Sequence, residues 1–491
     1  MKSANLRSIR FNFIMNSILT MSSFIFPLIS FPYVSRILMP EGMGKVTFAI
    51  SVISYFAMFA QLGIPTYGIR TCAKIRDNKE ELTKNVQEIF IINIIMSFVA
   101  YIAFFIALST VPRLQESKIL FLIVSSTILF NTIGVEWLYK ALEQYAYITI
   151  RSMIFKFVAL IAMFALIHQQ SDYVIYGGIS ILAAVGSNLL NFINVRKYIG
   201  MRPVGNYNFK KHMKPIFVFF AMSMATTVYT NLDKIMLGFI KNDEEVGYYY
   251  AAVKIKMILV SIVTSLGTVI LPRASFYIEH GFQDEFLRIT QKTLNFVIIL
   301  AAPLTLYFMI FARSGIFFLS GNAYEGAVFP MQVIMPTLLF IGMTNIMGIQ
   351  ILVPKGKEKV VLFSVIAGAI VNLIINIILI PNLASTGAAI GTLVAEIVVF
   401  IAQYIALKDI IMPMFSKIHY KSILLGLVLA TLASIWVMGL GLSNFFTLAI
   451  SSVLFFAVYA SVLNIFKEPF VIELKGQVID KYIKKKNDQK N

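Results

Sequence analysis

The sequence predicts an all-α integral membrane protein, and three observations predict it. Of the 491 residues, 58% are hydrophobic and only 13% are charged, where soluble domains carry about 25% charged residues. The mean hydropathy is +0.80. Uninterrupted apolar stretches of roughly 20 residues, the length that crosses a hydrocarbon layer of about 30 Å, recur from end to end. The lone cysteine, Cys72, leaves no disulfide framework and no cysteine-ligated metal or iron–sulfur site. The four histidines, His168, His212, His280 and His419, fall at or near breaks between apolar stretches, and no two stand four residues apart. No metal and no cofactor is therefore expected. The net charge of +18 would suggest nucleic acid in a soluble protein, but in a membrane chain its distribution carries the meaning, and no nucleic-acid partner is expected.

Apolar runs divided by charged or turn-rich breaks give fourteen expected spans, near 11–35, 46–64, 88–110, 118–138, 150–168, 172–193, 216–240, 248–271, 293–312, 327–353, 360–380, 386–407, 421–441 and 444–466. No small-residue cleavage site follows the first, which is kept as a span rather than a signal peptide. An even count puts both termini on one side. Thirty-two of the 42 Lys and Arg residues fall on that side, among them Lys210, Lys211 and Lys214 in the central loop and Lys484, Lys485 and Lys486 in the tail. Six fall on the other side, Arg36, Lys45, Arg113, Lys118, Lys241 and Arg313, and four lie within spans. The excess of basic residues in cytoplasmic loops makes both termini cytoplasmic.

The central basic loop divides the chain, and the two parts share a weak repeat. Arg36-Ile37-Leu38, Glu41-Gly42-Met43-Gly44, a span and Gly63-Ile64-Pro65 are answered by Lys234-Ile235-Met236, Glu244-Glu245-Val246-Gly247, a span and Pro272-Arg273. An even number of spans separates the copies, so their topologies are parallel and two six-helix lobes about an axis along the membrane normal are expected. The expected organisation is a lobe of six spans over 1–195, a basic linker over 196–215, a second lobe over 216–410, two added spans over 411–466 and a basic tail over 467–491.

Polar side chains inside spans cost free energy unless they face protein or a water-filled cavity. Asn12, Asn16, Thr20, Ser23 and Ser30 follow helical spacing in the first span, and Thr47, Ser51, Ser54 and Gln61 do so in the second. In the seventh, Ser223, Thr227, Thr230 and Lys234 share a face with Thr226 and Asn231 at its margins; in the eighth, Lys254, Ser261, Ser265 and Thr268 align. Hydroxyls in membrane helices commonly bond their own backbone or pack helix on helix. Four stripes in equivalent helices favour a shared hydrophilic cavity, with Arg36, Lys234 and Lys254 as cavity cations, Asp233 tuning Lys234, and Asn16, Ser51, Gln61, Thr230 and Ser261 among the polar contacts. Lys256 points away from Lys254 on a helix and is expected to snorkel, as is Lys156 near its span's end. Glu396 falls at the centre of the twelfth span, where a carboxyl is either structurally paired or a proton or cation site.

Several strings resemble a known family. Thr230-Asn231-Leu232-Asp233-Lys234-Ile235-Met236-Leu237-Gly238 followed by Val246-Gly247-Tyr248-Tyr249 is similar to the mid-chain signature of bacterial polysaccharide flippases. These form the polysaccharide-transport branch of the multidrug, oligosaccharidyl-lipid and polysaccharide exporter superfamily. Phe31-Pro32-Tyr33-Val34-Ser35-Arg36-Ile37-Leu38, Leu62-Gly63-Ile64-Pro65, and Gly368-Ala369-Ile370-Val371-Asn372 continuing to Gly387-Ala388-Ala389 resemble the same family. The resemblance implies a V-shaped pair of lobes in the bacterial cytoplasmic membrane, with a cavity lined by the first, second, seventh and eighth spans. It implies a flippase that carries an undecaprenyl-diphosphate-linked oligosaccharide to the outer leaflet for O-antigen, capsule or exopolysaccharide assembly by alternating access. Membrane lipids, and a polysaccharide polymerase with a chain-length regulator, would be its partners, and proton or sodium coupling is expected. An organic-cation or multidrug exporter of the superfamily is the nearest alternative and would present carboxylates to its cargo. A membrane polymerase is more distant, because the outer loops are short and no D-x-D is present. No Walker A motif is present either, so ATP hydrolysis by this chain is not expected.

The charge asymmetry predicts that cysteines or reporters at Lys211 and Lys485 report the cytoplasm and one at Asn242 the outside. Opposite sidedness of Lys211 and Lys485 would break the span count.

Overall fold

The computed structural model describes residues 9–472 and Lys475, and among them it is helical with no strand. The basic side chains expected at Lys2, Arg7 and Lys484–Lys486 lie outside the described residues, as does the side chain of Thr268. Ten helices are long and apolar enough to cross a membrane, or eleven when the pair Asn322–Ile334 and Thr337–Leu352, bent by 47°, is taken as one. Each of the fourteen expected spans overlaps a helical stretch. The run labelled α1 (Ile9–Gln61) holds two helices joined across a kink at Met39, and α16 (Glu358–Ala406) holds two joined across a kink at Ala384. The helix α5 (Lys118–Gly134) has 17 residues.

The chain divides into two compact units, 1–250 and 251–491. In the first, α1 is followed by α2 (Ile64–Lys74), α3 (Lys79–Thr110), α4 (Pro112–Gln115), α5, α6 (Glu136–Ala141), α7 (Tyr145–Leu166), α8 (Tyr173–Ile181), α9 (Asn188–Asn194), α10 (Lys210–Ile240) and the start of α11 (Asp243–Glu279). Local chemistry sets several boundaries. Pro40 follows Met39, whose φ of 57° breaks the run and begins a new helical stretch. The Asn78 side chain accepts from the Glu81 N–H, and Glu80 and Glu81 complement the positive end of α3. The basic linker is ordered against α3: Gln87 bonds the carbonyls of Gly200 and Arg202, and Glu88 accepts from the Asn208 N–H at 2.7 Å.

The repeated glycines are where α1 meets α10 and α11. A Cβ on Gly44 would lie 1.6 Å from the Asp243 carbonyl oxygen, and one on Gly247 would lie 2.0 Å from that of Pro40. Pro40 precedes Gly44 by four residues and Asp243 precedes Gly247 by four, so the two copies of the repeat make the same contact on each other. Arg113 of α4 clamps the junction, donating to Asp243 at 2.6 Å and to the Gly238 carbonyl at 2.8 Å. One helical turn further on, Gly238 lies against the Phe48 ring, where a Cβ would come within 2.2 Å. At the far end of the same pair, Gly63 (φ 70°) abuts the Phe219–Phe220 backbone, 2.4 Å from a Cβ.

The second unit continues α11 and adds α12 (Gln283–Ile310), α13 (Ala312–Ser320), α14 (Val328–Ile334), α15 (Thr337–Thr344), a π-helical segment Asn345–Leu352, α16, α17 (Lys408–Ser416), α18 (Tyr420–Ser434) and α19 (Asn444–Ile465). The last two helices pack as a pair, with Gly426 against the Tyr459 ring. They are tied to α12 by Tyr459, which donates to the Ile299 carbonyl at 3.1 Å, and by Tyr307, which bonds Ser451 at 2.9 Å.

Where the neighbour is backbone, little relaxation is available. Gly44→Ala and Gly247→Ala should each cost at least the roughly 1–3 kcal/mol of an overpacked core, read as a lower melting midpoint in detergent. Gly439→Ala, with open space around it, should melt like the wild type; equal midpoints for all three would refute the close approach.

Candidate functional site

Between their two glycine contacts, the second stretch of α1 and α10 part and leave a cavity of about 420 Å³ within the first unit. Residues of α5, α8 and the π-helical segment Leu182–Gly186 supply the rest of its lining. Ser54 and Gln61 reach it from α1, Thr127 and Asn131 from α5, Ser180 from α8, and Ser223, Thr227 and Asn231 from α10. Ile50, Ile53, Ala57, Met58 and Val124 supply apolar wall. Every polar side chain lining it is uncharged. Gln61 Nε2 and Thr127 Oγ1 are buried in the wall and have no hydrogen-bond partner among the described residues, so the wall holds unused hydrogen-bonding capacity.

Behind the wall stands a polar network. Asn131 accepts from Asn188 at 3.5 Å, and the buried Arg151 donates to Asn188 at 3.2 Å, to Ser187 at 2.8 Å and to Glu136 at 3.0 Å. A buried charge held by several acceptors fixes the side chains around it. A second network ties the ends of three helices. Glu88 of α3, fully buried, receives Lys211 at 2.7 Å and bonds His212 Nε2 at 2.8 Å, and His212 Nδ1 bonds the Tyr67 hydroxyl of α2 at 2.6 Å. His212, expected near a break, is thus a buried link between α2, α3 and α10.

The expected site residues fall in several places. Ser54 and Gln61 line the cavity, and Ser51 is buried in α1 beside them. On α10 the row Ser223, Thr227, Asn231 faces the cavity, while Thr230 is exposed and bonds the Thr226 carbonyl at 2.9 Å. Lys234 stands one residue behind the wall, donating to the Asn231 side-chain oxygen at 3.1 Å. Asp233 is buried and accepts from the Tyr249 hydroxyl at 2.5 Å. Arg36 is exposed and donates to the Pro32 carbonyl, and Asn16 is exposed on the first stretch of α1. Lys254 and Ser261 belong to the second unit; Lys254 is half-buried, and Ser261 bonds the Ile258 carbonyl. Lys256 differs from its expectation: at 9% exposure it is more buried than Lys254. Lys156 donates to Ser22 at 2.8 Å and Ser23 at 3.0 Å. Glu396 is buried on α16 with Thr392 and Gln403, and Gln403 donates to Ser364 at 3.1 Å.

Thr127, Asn131 and Ser180 were not foreseen. The one signal in the sequence was the i, i+4 spacing of Thr127 and Asn131 within an otherwise apolar run, which serves helix packing equally well.

The fold is shared with solved membrane transporters. It matches lipid II flippase MurJ in an inward closed conformation at a TM-score of 0.74 and 16% identity, over 92% of this chain and 98% of that one. It matches an outward-facing multidrug resistance MATE family transporter at 0.53 and 14% identity, over 82% and 95%. The class is a multi-pass helical membrane protein. A family model described as polysaccharide biosynthesis protein matches residues 9–277, more than half of the chain, and the chain belongs to that family. An Escherichia coli (strain K12) protein named "Putative O-antigen transporter" is 24% identical over 357 residues, which are 72% of this chain and 86% of the relative. One of the same name from Shigella dysenteriae is 24% identical over 354 residues, 72% and 88% of the two chains.

Proposed function

We propose that this chain is a flippase for a lipid-linked oligosaccharide, in the bacterial cytoplasmic membrane with both termini in the cytoplasm. The observation that carries the reading is the neutral cavity between α1, α5, α8 and α10. A cavity walled by hydroxyls, amides and aliphatic side chains, without a formal charge, offers sugar hydroxyls both donors and acceptors and offers an organic cation nothing to pair with. The multidrug alternative requires a carboxylate facing the cargo. Here Asp233 is engaged by Tyr249 and is not part of the cavity wall.

The cargo is an undecaprenyl-diphosphate-linked repeat unit moved from the cytoplasmic to the outer leaflet for surface polysaccharide assembly. Its prenyl chain stays in lipid while the sugars take the polar path. Lys234, held by Asn231, is the cation nearest the cavity wall through that bond and would meet the diphosphate where the sugars end; Arg36 and Lys254 are the further candidates. Alternating access would separate the glycine contacts that hold α1 against α10 and α11, with Glu396 as the candidate for coupling to protons or sodium. A polymerase and a chain-length regulator would take the delivered units.

A deletion strain should lose surface polymer and accumulate lipid-linked repeat units on the cytoplasmic leaflet. Complementation with Gln61→Leu combined with Thr127→Val, at matched membrane abundance, should restore roughly a fifth of the export or less, from two lost hydrogen bonds of about 0.5–1.5 kcal/mol each. Normal outward delivery in the deletion strain without a paralogue would end the flippase reading. Full export by the double variant would remove the cavity from the sugar path.

A further inference from the structure

The second unit holds a cavity of about 610 Å³ that plays no part in the proposed transport path. It lies where the first turns of α12, the turn after the π-helical segment, α17 and the residues following α19 come together. Arg288, Lys292, Lys355 and Lys417 line it, against two carboxylates, Asp284 and Asp409. All of these positions fall in the loops that the charge distribution assigns to the cytoplasm.

The cations are unevenly satisfied. Arg288 is paired with Glu285 at 2.6 Å on the rim. Lys355 and Lys417 have no ion-pair partner among the described residues. The Lys355 ammonium is half-buried and stands over the Phe286 ring, 5.8 Å from its centroid. Burial, reinforced by the neighbouring Lys357, pushes that ammonium below the usual lysine range, so the site as it stands penalises its own charge. An anion would reverse the penalty. On the same wall Gln291 donates to Asn295 at 3.0 Å and to the Met414 carbonyl at 3.1 Å, while its Oε1 is buried without a partner. The remaining wall, with Leu287, Ile410, Pro413 and Phe470, is apolar. Converging cations beside an apolar wall suit a phosphate carried on a hydrocarbon body, as in the basic pockets between membrane helices that hold anionic headgroups.

We propose that this pocket binds a phosphate group, with Lys355 and Lys417 as its principal ligands and Arg288 and Lys292 completing the positive field. The phosphate comes either from an anionic lipid headgroup or from a soluble phosphate.

The test uses the purified full-length chain in detergent, titrated separately with phosphatidylglycerol, phosphatidylcholine and inorganic pyrophosphate, with binding read by the shift in melting midpoint. Lys355→Gln and Lys417→Gln should each weaken binding of the anionic probe about fivefold, the fold-change of about 1 kcal/mol per basic residue at a membrane surface, and together by roughly 25-fold. Lys355→Arg should retain most of it. Lys408→Gln, an exposed lysine of α17 outside the pocket, should leave it unchanged. Variant-sensitive binding of phosphatidylglycerol, with little from phosphatidylcholine or pyrophosphate, assigns the site to a lipid headgroup; variant-sensitive binding of pyrophosphate assigns it to a soluble phosphate. Binding of neither anionic probe, or binding that the double variant leaves unchanged, overturns the proposal.

Discussion

The close approach of backbone at Gly44 and Gly247 is the constraint on which the first unit depends. Only a residue without a Cβ lets the start of α11 reach the second stretch of α1, and the two glycines do so reciprocally. Once that contact is made, Gly238 must accept the Phe48 ring and Arg113 can reach Asp243 and the Gly238 carbonyl together. Gly63 repeats the device at the other end of the helix pair. Two helices pinned at both ends by glycine and bearing larger side chains between them cannot touch along their whole length. The space between is the cavity, and its polar lining is what keeps such a space wettable inside an apolar protein.

The buried charges obey the rule that lipid imposes, that each must find partners inside the protein. Glu88 has three, from Lys211, His212 and the Asn208 backbone, and so holds the linker and the first turn of α10 on α3. Arg151 has Glu136, Ser187 and Asn188, and through Asn188 reaches the cavity residue Asn131. The charged groups of neither network line the cavity. They position its walls while the cavity itself stays neutral, which suits a cargo recognised through hydroxyl groups and disfavours one recognised through charge.

Much of this was legible in the sequence where the signal was periodic. Apolar runs marked every helix that crosses the apolar layer, and the weak repeat around Gly44 and Gly247 marked the residues that meet. Of the α10 stripe, Ser223 and Thr227 line the cavity, and beyond them the sequence is ambiguous, because a row of i, i+4 steps leads to Asn231 and an i, i+3 step leads to Thr230. Packing chose the first. The partners of Glu88 and Arg151 were not legible, since Glu88 and His212 are 124 positions apart and no local pattern joins them. Lys256 shows the limit of angular reasoning: a residue turned from a polar stripe is not thereby turned toward lipid, and here it is buried.

The central claim is that the neutral cavity recognises sugar. It is tested most directly by comparing the affinity of the purified chain for an undecaprenyl-diphosphate-linked repeat unit with its affinity for undecaprenyl diphosphate alone. The account predicts tighter binding of the sugar-bearing lipid, with the difference abolished when Gln61 and Thr127 lose their polar atoms. Equal affinities in the wild type, or a preference that survives those substitutions, would contradict it.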